Sequence, residues 1–176
     1  MSDLDEPIRL SEYDPQWPIL FSDEIGRLSS SLPGDLAMEH IGSTSVPGLM
    51  AKPIIDIMVG TEAHHNVEEV RSMLVYLGYE DMGEAGIPGR IYLRKRSAPG
   101  FNIALVERYG PLWVSNLLFR DYLRKNPEAR DEYTRIKLQA LESGISSLLR
   151  YSDFKNATVS LLISRAIASE QHNGHP

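Results

Sequence analysis

Residues 40–57 read His-Ile-Gly-Ser-Thr-Ser-Val-Pro-Gly-Leu-Met-Ala-Lys-Pro-Ile-Ile-Asp-Ile, and this stretch decides the fold. Upstream, Leu36 to Ile41 predicts a strand that ends at Gly42. Downstream, residues 53–59 form an apolar run broken by one carboxylate, which predicts a strand buried on both faces and ending in Gly60. Between the strands lies Gly42-Ser43-Thr44-Ser45. A glycine lets backbone approach a phosphate closely, and free N–H groups with neighbouring hydroxyls donate to its oxygens. The same four residues also suit an ordinary surface loop. Asp56 stands alone in its strand. An ionised carboxylate buried without a partner costs roughly several kcal/mol, so Asp56 should be ion-paired, hydrogen-bonded or bound to a cation. A hard oxygen ligand suits Mg2+, while a salt bridge to Lys52 or an arginine is the structural alternative.

Toward the N-terminus, Asp14-Pro15 reads as a cap followed by proline at the first helical position. Trp17, Phe21, Ile25 and Leu28 then keep helical spacing, predicting a helix over about 15–31. Leu32-Pro33-Gly34 breaks it. Beyond the quoted stretch, Val67, Val70, Leu74 and Leu77 with Gly78 predict a capped helix. Arg90 to Arg94 and Asn102 to Val106 predict strands, so the sheet should be mixed. From Pro111 onward helical patterns follow one another. Asn126-Pro127-Glu128 is a start signal, Tyr133, Ile136 and Ala140 share a face, and a last helix begins near Asp153 with Phe154, Ala157, Leu161 and Leu162 as its apolar residues. The fold class is α/β: a mixed sheet flanked by helices, with a helical C-terminal third. Residues 1–170 are expected to form one domain and 171–176 a flexible tail.

The composition narrows the function classes. With 176 residues, 42% hydrophobic and 24% charged, the chain has ordinary globular proportions. No apolar run approaches the ~20 residues of a membrane span. The start, Met-Ser-Asp-Leu-Asp-Glu, is acidic where a signal peptide is basic, so a cytoplasmic protein without a membrane partner is expected. The absence of cysteine excludes disulfides, thiolate zinc sites and cysteine nucleophiles, leaving oxygen or imidazole for any metal. A net charge of −6 and a pI near 5.4 argue against duplex nucleic acid, which rewards neutralising many phosphates. A small phosphorylated ligand needs only a local basic patch, and Arg90, Arg94, Lys95 and Arg96 offer one; a solvated hairpin edge is the other reading.

Other polar residues carry similar alternatives. Lys52 is placed to neutralise a phosphate or to pair with Asp56. Arg90 and Arg94 fall on one strand face, suited to clamping phosphates or to surface display. Arg120 and Asp121 suit an internal ion pair, and His40 a hydrogen bond to backbone. His64 and His65 are adjacent and expected to face different directions, so no shared metal is expected.

The stretch from His40 to Ile57 resembles the signature of GrpB-like proteins, a group with a nucleotidyltransferase-type fold. The likeness extends over about residues 8–168: Tyr13 to Phe21 resembles the family's Tyr-x-Pro-x-Trp helix, and Phe119-Arg120-Asp121-Tyr122-Leu123-Arg124 a similar run. Tyr133 with Lys137, and Tyr151 with Lys155, resemble its Tyr-x-x-x-Lys pairs. The resemblance implies a turn at Gly42 and Ser43 gripping the phosphates of a nucleoside triphosphate, and Asp56 as a carboxylate holding Mg2+ for nucleotidyl transfer. Thr44, Ser45, Lys52, Arg90, Arg94 and Asn102 complete the expected ligand-binding set. Two departures stand out. A second carboxylate on the same strand face would fall at position 58, where the chain has Met58. Where relatives often place a histidine in an Asn-x-His pattern, the chain has Asn102-Ile103-Ala104. Met58 reads as core packing, and Glu39, Glu107 or Asp121 is left to supply a second carboxylate. The expected function is binding of a nucleotide or related phosphorylated cofactor with Mg2+-dependent transfer to a small molecule. The alternatives are a non-catalytic nucleotide or coenzyme module, or an enzyme with a repurposed pocket for acyl or amide transfer.

Overall fold

The computed structural model describes residues 6–173. Most of the acidic start and the last three residues of the expected tail, 174–176, lie outside the described residues. Five strands form a single mixed sheet in the order β1-β2-β5-β4-β3. These are β1 (Ala37–Ile41), β2 (Ile54–Thr61), β3 (Glu80–Asp81), β4 (Ile91–Lys95) and β5 (Gly100–Glu107). β2 and β5 run parallel, and the remaining pairs are antiparallel. The expected α/β class, a mixed sheet flanked by helices with a helical C-terminal third, is the one observed.

The first helix, α1, spans Trp17–Ser29, later than its sequence signal suggested. Asp14 caps a preceding turn instead: its Oδ1 accepts the Gln16 N–H at 2.9 Å and its carbonyl the Trp17 N–H at 3.1 Å. Pro18, not Pro15, occupies the opening helical turn. The second helix, α2, spans Val67–Tyr76 behind an Asn66 cap. Together α1 and α2 cover one sheet face, where Leu28, Val70 and Leu74 close over Ile55, Ile57, Leu93 and Ile103.

Because side chains alternate across a strand, register sorts the other face. Ile41, Asp56, Asn102 and Arg94 form one cross-strand row, and Glu39, Met58, Ala104 and Tyr92 the next. Three helices serve this side: α3 (Pro111–Lys125), α4 (Pro127–Glu142) and α5 (Leu148–Asn173). Trp113 of α3 packs with Ile41, Met58 and Val106, so Met58 is core, as its thioether suggested. The expected start of α5 was too late and its apolar face partly misassigned. Tyr151, Leu162 and Ala166 are buried, while Phe154 and Leu161 are 41% and 47% exposed. Helix α5 continues to Asn173, into the first residues of the expected tail. Among the described residues no helix is long and apolar enough to cross a membrane.

Met58 sets a test of this packing. Met58→Ala should cost about 2–5 kcal/mol in denaturant melts, whereas Phe154→Ala should stay within about 0.5 kcal/mol. Equal losses would contradict the assignment of the two faces.

Candidate functional site

Gly42 closes β1 with φ +70°, a conformation glycine adopts without strain. Its lack of a side chain is required twice over, because a Cβ there would collide with the Asp56 carboxylate. The chain then makes a 3-10 turn, Ser43–Ser45. Asp56 lies beneath it, half-buried, and its Oδ1 accepts the Asn102 Nδ2–H at 2.6 Å. Burial raises the Asp56 carboxyl above its ordinary value. The Asn102 hydrogen bond and the positive charges of Lys155, Arg96 and Lys52 pull the other way.

Of the loop's hydroxyls, only Ser43 faces the helical side, accepting from Lys137 Nζ at 2.7 Å. Thr44 and Ser45 are buried and turned inward: Thr44 Oγ1 bonds His40 Nε2 at 3.0 Å, and Ser45 Oγ donates to the Gly42 carbonyl at 2.6 Å. Three hydroxyls on one phosphate, as the sequence suggested, is therefore not the arrangement present. Arg124 of α3 fixes the turn further by donating to the Ser45 carbonyl at 2.8 Å.

Two adjoining chambers open beside Asp56, of about 360 and 150 Å3. They share Asp56, Asn102 and Lys155. The larger is walled by Arg90, Tyr92, Phe119 and Tyr133 among others, and the smaller by Ser43, Lys52, Lys137 and Tyr151. Lys137 is 1% exposed and also donates to the Met50 carbonyl at 2.6 Å, with its amine 4.4 Å from the Tyr133 ring centre. Burial pushes this lysine well below its ordinary value, repulsion from Lys155 adds to the effect, and Asp56 opposes it. Lys155 sits over Tyr151 in the same way, at 4.9 Å.

Lys52 does not pair with Asp56. It donates to Glu6 Oε1 at 2.6 Å, and Arg96 donates to the same carboxylate at 2.8 and 2.9 Å while reaching Asn102 Oδ1 at 2.9 Å. Burial alone would raise Glu6, but these two cations hold it down at about 2. The line Lys52, Glu6, Arg96, Asn102, Asp56 is thus one continuous polar chain.

The expected basic patch divides. Arg90 lines the larger chamber, donating to the Glu84 and Ala85 carbonyls at 3.2 and 3.1 Å; its buried Nε has no partner. Arg94 pairs with Glu80 at 2.8 Å and lines neither chamber, and Lys95 lies toward Glu24 at 3.7 Å. None of Glu39, Glu107 and Asp121 reaches the cavity. Arg120 binds both Glu39 and Asp121 at 2.7 Å, and Glu107 is exposed at the far end of β5. Among the described residues Asp56 is the one carboxylate lining either chamber. The sequence reading assigned no site role to Lys137, Lys155 or Glu6, and named Arg96 only as part of the basic patch. The available signal was a lysine on the core-facing spacing Ala129, Tyr133, Lys137, Ala140.

His64 and His65 correct another expectation, because both rings turn toward Asp35, at 2.6 and 3.1 Å. The ligand-type atoms of this trio lie within 4.8 Å of one another. Yet His65 Nδ1 accepts the Glu62 N–H at 2.9 Å, which puts the proton of a neutral ring on Nε2, directed at Asp35. The trio ties two loops together at the sheet end away from Asp56.

A half-buried carboxylate ringed by cations, beneath a glycine turn in an α/β sheet, defines the class of site. The model of the GrpB protein family matches residues 7–165, and the chain belongs to that family. A UPF0157 protein of Halalkalibacterium halodurans is 39% identical over 166 residues, covering 92% of this chain and 84% of that one. The crystal structure of the conserved protein GrpB from Enterococcus faecalis matches with a TM-score of 0.80 at 34% identity, covering 93% of this chain and 99% of that one. A dephospho-CoA kinase of Mycobacterium tuberculosis is 30% identical over 172 residues, covering 82% of this chain but only 42% of its own length.

His40 gives the site a pH signature. It lies on the α1 side of the sheet, stacked on Phe21 at 4.7 Å. Burial, with repulsion from Arg124 and Arg120, holds its imidazole at about 4. An unfolded histidine titrates near ~6.5, so between these values the unfolded chain binds the extra proton. The stability His40 contributes is complete above about pH 6.5 and is lost as pH falls toward 4, by roughly 3 kcal/mol in all. Melting curves across that range should therefore be flatter for His40→Gln than for the parent; parallel curves would contradict the assignment.

Proposed function

We propose that the chain holds a nucleotide or a related phosphorylated cofactor in the two chambers beside Asp56. One observation carries this reading: in a protein of net charge −6, the cations Lys52, Arg90, Arg96, Lys137 and Lys155 gather around Asp56, with Glu6 pairing two of them, Lys52 and Arg96. Phosphate oxygens would give Lys155, the buried Lys137 amine and the orphaned Arg90 Nε an anionic partner. Ser43 and the Gly42 backbone meet the phosphate chain, Thr44 and Ser45 shape the turn, and Asn102 orients Asp56. In the nucleotidyltransferase superfamily that the sequence resembles, a Gly-Ser turn and strand carboxylates have these roles. The match to a dephospho-CoA kinase adds an association with coenzyme chemistry, by analogy alone.

Mg2+ is commonly held by one or two carboxylates together with substrate phosphates, so Asp56 and the ligand's own oxygens suffice as a donor set. A bound Mg2+ would polarise a phosphate for transfer to a small acceptor. The second reading, a binding module without turnover, draws on Met58 and Ala104, which pack in the apolar cluster around Trp113 where a metal ligand and a histidine would stand.

Thermal melts separate the readings. ATP with Mg2+ at about a hundred times its Kd should raise the melting temperature by about 5–10 °C, and Asp56→Asn should remove the Mg2+-dependent part. A shift that is metal-independent and intact in Asp56→Asn, with no turnover, selects the binding module. If no nucleotide or coenzyme moves the transition, the proposal fails.

A further inference from the structure

The hydrogen bond between Lys137 and Ser43 suits the pair to a role beyond contact with phosphate. Lys137 Nζ stands 2.7 Å from Ser43 Oγ and 2.6 Å from the Met50 carbonyl, and no carboxylate ion-pairs with it among the described residues. A lysine this deeply buried, with no ion-paired carboxylate, loses its proton readily; Lys155 nearby repels the charged form, and the opposing pull of Asp56 is the smaller effect. The amine donates to both the Met50 carbonyl and Ser43 Oγ; once neutral, it has a lone pair to accept the Ser43 hydroxyl proton over the same 2.7 Å. Ser43 itself follows a strand directly, on a tight turn made possible by Gly42, and is half-buried at the wall of the smaller chamber.

We propose that Ser43 is a nucleophile with Lys137 as its general base, acting on a carboxylic–phosphoric mixed anhydride such as an acyl phosphate or acyl adenylate. The choice of leaving group rests on the phosphate-binding reading above: Lys52, Arg96 and Lys155 border the same chamber or its polar chain. Ser43 Oγ attacks the acyl carbon as its proton passes to Lys137 Nζ. The carbon–oxygen bond to phosphorus breaks, and the phosphate leaves with the electron pair and its negative charge. Lys137 releases its proton to solvent. A water or amine then attacks the Ser43 ester, and its proton travels through Lys137 to Ser43 Oγ as the ester bond breaks.

Acetyl phosphate is the probe. The full chain should acquire one acetyl group on the peptide holding Ser43, or release phosphate in a Ser43-dependent reaction, with both absent in Ser43→Ala. Lys137→Met should slow the reaction at least tenfold, and Lys137→Arg, which keeps the charge but cannot act as base, should not restore it. Because either variant can perturb folding, the parent's pH profile is the second readout: its rate should rise and level off well below the range of an ordinary lysine. Absence of both Ser43 acylation and Ser43-dependent phosphate release overturns the proposal, as does an unchanged rate in a folded Lys137→Met. Nucleotide-induced stabilisation without acylation leaves the binding reading standing and removes this one; acylation without any nucleotide shift does the reverse.

Discussion

Lys137 reaches from α4 to Ser43 Oγ and the Met50 carbonyl, with its whole side chain buried, and the chambers depend on that reach. The amine spans the junction between the helical third and the loop that follows β1. Around it, Val46 and Leu49 of the loop pack with Leu123, Tyr133 and Leu162 from α3, α4 and α5. Apolar packing holds the helices there, while Lys137 fixes where they stop. Stripping its partners would strand a buried polar group at a cost of about 1–3 kcal/mol. The amine under the turn borders the same chamber as Ser43, Lys155, Asp56 and Asn102, while sheet register and a hydrogen bond set Asp56 against Asn102.

The part of the site legible in the sequence is the part made by neighbours along the chain. Gly42 and Asp56 bracket one loop, and strand periodicity alone puts position 58 on the Asp56 face and assigns Met58 to the core. What the sequence did not disclose depends on distant partners: Lys137 lies 94 residues from Ser43, and Arg96 lies 90 from Glu6. Helix faces were blurred by single positions. Each residue turns a helix by about 100°, so choosing Ile136 instead of Lys137 for the buried face moved a site residue to the surface. A lysine on an otherwise small and aromatic stripe was the overlooked signal. The opposite error affected Arg94, whose strand position suggested a ligand contact but whose guanidinium belongs to Glu80 at the sheet edge.

Charge organisation separates this site from the two-carboxylate arrangement that its sequence resemblance implies. Met58 and Ala104 leave apolar surface against Trp113, and the acids nearest in sequence pattern, Glu39 and Asp121, are consumed by Arg120. Asp56 is left as the carboxylate lining the chambers, and Glu6 is taken up by Lys52 and Arg96. Such a balance favours an anionic ligand over a free divalent ion, and a scaffold retained while its reactive groups change is how one fold comes to host different chemistries.

The most direct measurement is a crystal structure soaked with a non-hydrolysable nucleoside triphosphate and Mg2+. The account predicts phosphates in the chamber beside Ser43, within hydrogen-bond distance of Lys155, and any metal bridging them to Asp56. A ligand seated elsewhere on the protein, with the Asp56 chambers holding only water at saturating nucleotide, would contradict it.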